Sequence, residues 1–174
     1  MSIKSIDVSI DIDSPIDRVF ERLSDHGAYG RFPNVPAARL TQAGKKEKNG
    51  EGAIREVTLR AFGFLPIEFV EDIVVYQKPH VFEYRVKFAR YKLGFFTLDA
   101  GIIHLLGRVS FSEKDGKTTV HWVSKFEMTW PLLKYITAMA LEFEGTRLFV
   151  NILEYVKKES EIGGNPVSCA APQT

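Results

Sequence analysis

The chain has 174 residues, 45% of them hydrophobic and 26% charged, with a formal net charge of +1. That length suits one sizeable core and is short for two, and the near-neutral balance excludes a global field that would draw the protein to nucleic acid. The single cysteine, Cys169, excludes a disulfide framework and is compatible with a cytoplasmic setting.

Residues 3–12 alternate, with Ile6, Val8, Ile10 and Ile12 on one face and Asp7, Ser9 and Asp11 on the other. This predicts a half-buried strand. It follows Met1-Ser2 with no apolar run before it, so no signal peptide is expected and the cytoplasm is the expected compartment. Asp13-Ser14-Pro15 reads as a helix start. Ile16, Val19, Phe20 and Leu23 follow at helical spacing, and a second short helical turn is expected around 26–31. From 38 to 129 the pattern is strand and turn, with strands over 38–43, 52–60, 67–77, 80–89, 96–112 and 117–129. In the fourth of these, Phe82, Tyr84, Val86 and Phe88 share one face. Glu113-Lys114-Asp115-Gly116 signals a hairpin. Pro131 opens a long helix to about 160, with an apolar stripe that includes Ile136, Met139, Ala140, Phe143 and Val150. Leu141, Leu148, Ile152 and Tyr155 fall on its other side, so its amphipathicity is weak. Charged residues interrupt it, so no membrane-spanning helix is expected. Residues 1–162 form one domain, and 163–174 read as a flexible tail.

This order predicts an α+β fold: a seven-stranded curved antiparallel sheet, two short helices after strand one, and a long C-terminal helix. Only that helix is long enough to cover the sheet's apolar face. The space between a curved sheet and the helix it grips is the default binding site.

Ile12-Asp13-Ser14-Pro15-Ile16-Asp17-Arg18-Val19-Phe20 resembles the opening of the START-like (SRPBCC, birch-pollen-allergen-like) superfamily. Gly52-Ala53-Ile54-Arg55-Glu56-Val57, Val70-Glu71-Asp72-Ile73 with Pro79 and Tyr84, and Gly107-Arg108-Val109-Ser110-Phe111 with Trp122 are similar to its later strands. The resemblance runs from about residue 3 to 158, and is strongest to the polyketide cyclase/dehydrase-like branch of bacterial proteins. It implies the helix-grip fold and a hydrophobic cavity. It leaves function open, because the superfamily holds carriers, receptors and enzymes.

Strand parity places Arg55 with Val57 and Leu59, and Glu71 with Ile73 and Val75, so an Arg55–Glu71 ion pair is expected inside the apolar chamber. It is either a structural pair that satisfies its own charges or a polar anchor for a ligand carboxyl, hydroxyl or carbonyl. Phe82, Tyr84, Val86 and Leu105 are expected to line the chamber, with Trp122 and Phe126 from the last strand. Met139 and Phe143 are expected to do so from the helix, and Arg147 to line the cavity or reach its rim. His104 shares the parity of Arg108 and is expected to point outward; a histidine facing the cavity would be the best general base in the chain. Phe62, Phe64 and Leu65, then Leu93, Phe95 and Phe96, then Trp130 fall in three loops that this topology gathers at one end. Such a mouth is a lid, a membrane-touching rim or a dimer contact, or else these residues pack on each other and close the barrel end. Metal spacing, a phosphate loop and a nucleophile elbow are absent from the sequence, so no metal or cofactor is expected.

The expected function is to bind a hydrophobic small molecule (a lipid, isoprenoid, quinone or polyketide-like compound) as carrier or sensor, with transient membrane contact at the mouth. The alternative is a cyclase/dehydratase-type enzyme in the same cavity, using Arg55, Glu71 or a tyrosine for proton transfer. An arginine beside a carboxylate lowers its pKa and makes it a poor acid and a weak base, which argues against the enzyme.

Overall fold

A computed structural model describes residues 3–129 and 134–162. The elements are β1 (Lys4–Ile12), α1 (Ile16–Ser24), a 3₁₀ turn (His26–Arg31), β2 (Ala37–Gln42), β3 (Ile54–Ala61), β4 (Leu65–Gln77), β5 (Val81–Leu93), β6 (Phe96–Asp99), β7 (Ile102–Lys114), β8 (Lys117–Met128) and α2 (Lys134–Ile162). The strands form one antiparallel sheet in the order β1-β8-β7-β5-β4-β3-β2, with β6 paired to the far end of β5. This is the helix-grip architecture. Where the sequence suggested one strand over 96–112, the chain turns a corner at Ala100-Gly101, making the count eight among the described residues. Gly101 takes a φ of 65°, and its N–H donates to Asp99 Oδ1 at 2.6 Å. That conformation suits glycine and ends the strand. The expected start of the long helix at Pro131 and the 163–174 tail lie outside the described residues.

The first helix is capped from a distance. No side chain of the Asp13-Ser14-Pro15 segment caps it; instead the N–H of Ile16 donates to Glu113 Oε2 at 2.7 Å. The β7–β8 turn has Asp115 at φ 53° and Gly116 at φ 75°, the geometry of a two-residue hairpin. Val19, Phe20 and Leu23 of α1 are fully buried, and the Phe20 ring meets those of Tyr76, Phe82 and Phe111 edge-on.

Three bulges decide which side chains face inward. Glu71 pairs with Val86 while Val70 pairs with Phe88, so Lys87 is an extra residue. Likewise His104 pairs with Phe126 and Leu106 with Lys125, which leaves Leu105 extra. Val74 is extra between Ile73 and Val75. An extra residue reverses the parity of everything beyond it. Phe88 therefore lies outside, Ala89 inside, and His104 inside along with Gly107 and Val109.

The long helix leans to one side. Its packing is on β1, β8 and α1 rather than on β3 and β4. Gly145 permits this: a Cβ there would lie 2.3 Å from Ile6 Cδ1. A wedge is left between α2 and the β3–β5 side of the sheet.

Candidate functional site

The wedge ends in a buried polar cluster. Arg55 and Glu71 are directly opposed on β3 and β4, and Arg55 Nε donates to Glu71 Oε2. Arg55 is 2% exposed and Glu71 8%. Arg55 also donates to His26 Nδ1 at 3.0 Å, and its guanidinium lies 4.1 Å from the Tyr29 ring centroid and 5.3 Å from that of Tyr84. Burial works against the arginine's charge most strongly of any single effect, but the Glu71 carboxylate together with Tyr29 and Tyr84 outweighs it and raises its pKa. Burial, then the charge of Arg55, holds His26 well below the ordinary histidine value. A neutral His26 that accepts at Nδ1 carries its hydrogen on Nε2. Nε2 is buried and has no hydrogen-bond partner among the described residues.

Tyr84 links this cluster to a second one. Trp122 Nε1 donates to the Tyr84 hydroxyl at 3.0 Å, and the Tyr84 ring stacks on His104 at 5.3 Å. The ring occupies the place of a missing side chain: a Cβ on Gly107 would lie 2.4 Å from Tyr84 Cζ. Burial, then the Glu71 carboxylate, pushes the Tyr84 phenol well up. The Val86 N–H donates to His104 Nδ1 at 3.3 Å, so His104 carries its hydrogen on Nε2, 3.1 Å from Ser124 Oγ. Burial lowers the His104 pKa, partly offset by Glu71.

A cavity of about 80 Å³ adjoins this polar end, with Glu71, Tyr84, His104 and Ser124 on one wall. The rest of its lining is apolar, including Val86 and Phe126 from the sheet and Leu141 from α2. A second space of about 40 Å³ shares Leu59, Phe69, Leu141, Gly145 and Leu148 with it, and leads out past Asn34, Arg60 and Arg147. Arg147 thus sits at the outer end, half-exposed and 2.7 Å from Glu144 Oε2.

Several residues expected to line the chamber stand elsewhere. Phe82 is fully buried in the aromatic core beside Phe20 and His26. Trp122 is behind the wall, stacked on Phe149 at 3.9 Å. Leu105 is 41% exposed, because it is itself the bulge residue. Met139 and Phe143 are 62% and 69% exposed on the outer side of α2. The helix has two apolar stripes, and the one with Leu141, Gly145, Leu148 and Ile152 faces inward, because Gly145 lets it approach β1. Among the described residues there is no group of three or more His, Cys, Asp or Glu arranged to hold a metal.

At the outer end two turns meet. Ala61 pairs with Leu65, Ile67 with Tyr91, and Leu93 with Phe96, so the β3–β4 and β5–β6 turns are neighbours. Phe62, Phe64, Phe95 and Phe96 are exposed, and Leu65 is half-buried. The Phe62 N–H donates to Glu144 Oε2 at 3.2 Å, which ties the first turn to α2. Arg90 and Lys92 both pair with Glu68 nearby. Trp130 lies outside the described residues.

A sequence model of the family described as polyketide cyclase / dehydrase and lipid transport matches residues 4–161. The chain belongs to this family. Among solved structures, the Zhui aromatase/cyclase from Streptomyces sp. R1128 is similar with a TM-score of 0.71 and 16% identity, over 96% of this chain and 99% of that one. A START superfamily protein from Mycobacterium smegmatis is similar with a TM-score of 0.69 and 9% identity, over 89% and 97% of the two chains. Ara h 8.0201 gives 0.62 and 12%, over 89% and 98%. At these identities the likeness is one of fold. No curated protein matches the chain.

Within the fold of this family, sequence reasoning missed three polar residues of the site. His104 was assigned outward because the Leu105 bulge is invisible to strict alternation; the only hint is the run Leu105-Leu106-Gly107, where alternation fails. Ser124 shares the parity of Trp122 and Phe126, and its contact with His104 depends on the same bulge. His26 lies on the short turn after α1, where periodicity assigns no face.

Proposed function

We propose that this protein binds a hydrophobic small molecule, of the lipid, isoprenoid, quinone or polyketide-like class, in the wedge between α2 and β3–β5, as a carrier or sensor. The observation that carries this reading is the chamber: apolar walls, a few polar groups at its inner end, and an outer groove that opens beside exposed aromatic turns. The volume of about 80 Å³ is below the roughly 150 Å³ of a cavity known to hold benzene, so on this reading loading widens the wedge. The helix is free to yield on that side because it packs on β1 and β8. On this reading the turns with Phe62, Phe64, Phe95 and Phe96 form the rim. They cover the outer end of the ligand or touch the lipid surface that supplies it, and Arg60, Arg90 and Lys92 nearby favour anionic headgroups. Native mass spectrometry of the purified protein tests the reading, together with titration by a fluorescent naphthalene-type probe. A retained or saturable hydrophobic ligand supports it; absence of both contradicts it.

A second reading, a cyclase/dehydratase acting in the same chamber, is favoured by one observation. His104 faces the cavity with its Nδ1 taken by the Val86 N–H and its Nε2–H turned to Ser124 Oγ, so on this reading it orients the Ser124 hydroxyl as a proton donor to a bound substrate. On this reading His104→Gln abolishes turnover of a polyketide-like substrate and retains its binding. Equal turnover in the variant and the parent removes His104 from the reaction.

A further inference from the structure

We propose that the ligand enters with a neutral hydroxyl group, an alcohol or a phenol, as its inner end, and that the chamber selects against a carboxylate there. This rests on the ligand-binding reading above and narrows it to one head-group chemistry.

The inference comes from which half of the ion pair meets the cavity. Glu71 is on the wall and Arg55 is not. The guanidinium is sealed behind, between the rings of Tyr29 and Tyr84, with one nitrogen on Glu71 and another on His26. Only Glu71 Oε2 is taken by Arg55, and among the described residues no hydrogen bond reaches Oε1. What the chamber presents is therefore a carboxylate oxygen in need of a donor.

The neighbouring groups have the opposite need. His104 accepts from the Val86 N–H and so donates from Nε2 to Ser124 Oγ. The Ser124 hydroxyl hydrogen is left to be given elsewhere. The Tyr84 oxygen accepts from Trp122, and its own hydrogen has no acceptor among the described residues. Burial keeps that phenol protonated. The wall thus offers one strong acceptor flanked by two hydroxyl donors.

A ligand hydroxyl satisfies both, donating to Glu71 and accepting from Ser124 or Tyr84. An ether or a ketone can only accept and leaves Glu71 unpaired. A carboxylate brings a second negative charge against Glu71 with the compensating cation out of reach, a juxtaposition that low-dielectric surroundings penalise heavily. The cluster therefore discriminates at the head, while the apolar wedge accepts a range of tails.

The test is an isosteric series titrated into the full-length protein by calorimetry: 2-naphthol, 2-methoxynaphthalene, naphthalene and 2-naphthoate, near neutral pH. The expected order is naphthol tightest, by about ten- to hundredfold over the methoxy compound, as befits a hydrogen bond to a charged group. Naphthoate is expected to be weakest. Glu71→Gln should compress the naphthol preference and relieve part of the naphthoate penalty. Ser124→Ala, which leaves the ion pair intact, should weaken naphthol more than naphthalene, and it serves if Glu71→Gln does not fold. Naphthoate binding as tightly as naphthol, or naphthol no tighter than its methyl ether, overturns the head-group inference and leaves the binding reading standing. Failure of all four compounds to bind overturns that reading, and the inference with it.

Discussion

Replacing Arg55 by Met keeps the length and apolar body of the side chain and removes its charge. Three things are lost at once: the partner of a carboxylate that is 8% exposed, the donor to His26 Nδ1, and a cation stacked 4.1 Å from the Tyr29 ring. Breaking a buried pair on one side costs about 3–5 kcal/mol, mostly because the other charge stays behind. In a domain of this size each kcal/mol moves the melting temperature by about 2–4 °C, so the variant should melt about 6–20 °C lower. Arg55→Met/Glu71→Leu removes both charges and should recover a large part of that loss, since an apolar replacement of a buried pair is often neutral. The assay is urea unfolding of the parent, both single variants and the double variant, read as a double-mutant cycle. A coupling of at least about 2 kcal/mol is expected. Single losses of about 1 kcal/mol or less that simply add would refute the argument, and would mean that water reaches the pair.

Three other outcomes follow from the same geometry. His26 has a folded pKa well below its unfolded value, so the unfolded chain takes up the proton first as the pH falls. Stability should be complete above about pH 6.5 and decline below it with a slope approaching about 1.4 kcal/mol per pH unit; His26→Gln should flatten that slope, and an unchanged slope contradicts the assignment. Gly107→Ala places a methyl 2.4 Å from Tyr84 Cζ, so it should cost about 1–3 kcal/mol and change the Trp122 fluorescence; a neutral result means that the ring does not lie there. Phe95 is 103% exposed, so Phe95→Asp should change stability by only about 0.5 kcal/mol while lowering probe uptake about ten- to hundredfold; undiminished uptake removes the turn from the entry route.

The Arg55–Glu71 pair was legible in the sequence because nothing interrupts the β3–β4 register between Ile54↔Asp72 and Ala61↔Leu65. Alternation holds there from end to end, so parity predicts the face correctly. It fails for Leu105, His104 and Phe88, because each lies at or beside a single extra residue that strict alternation does not count. The rotation of α2 was illegible for a different reason. Its two stripes are comparably apolar, and close packing at Gly145 against Ile6, a contact 139 positions apart in sequence, chooses between them. The aromatic turns were readable from the sequence, because turns seldom carry three phenylalanines, with a fourth on the adjoining strand, without being either buried or used.

The claim that the inner face of α2 lines the ligand chamber is tested most directly by a pair of tryptophan substitutions two residues apart. Leu141 lines both parts of the wedge, and Met139 is 62% exposed on the opposite side of the helix. Uptake of a naphthalene-type probe is measured for Leu141→Trp and Met139→Trp, each checked for an unchanged fold by circular dichroism and thermal melting. Leu141→Trp fills the chamber and should abolish uptake, and Met139→Trp should bind as the parent does. Uptake that survives Leu141→Trp and is lost in Met139→Trp would place the ligand on the outer face of the helix and contradict the account.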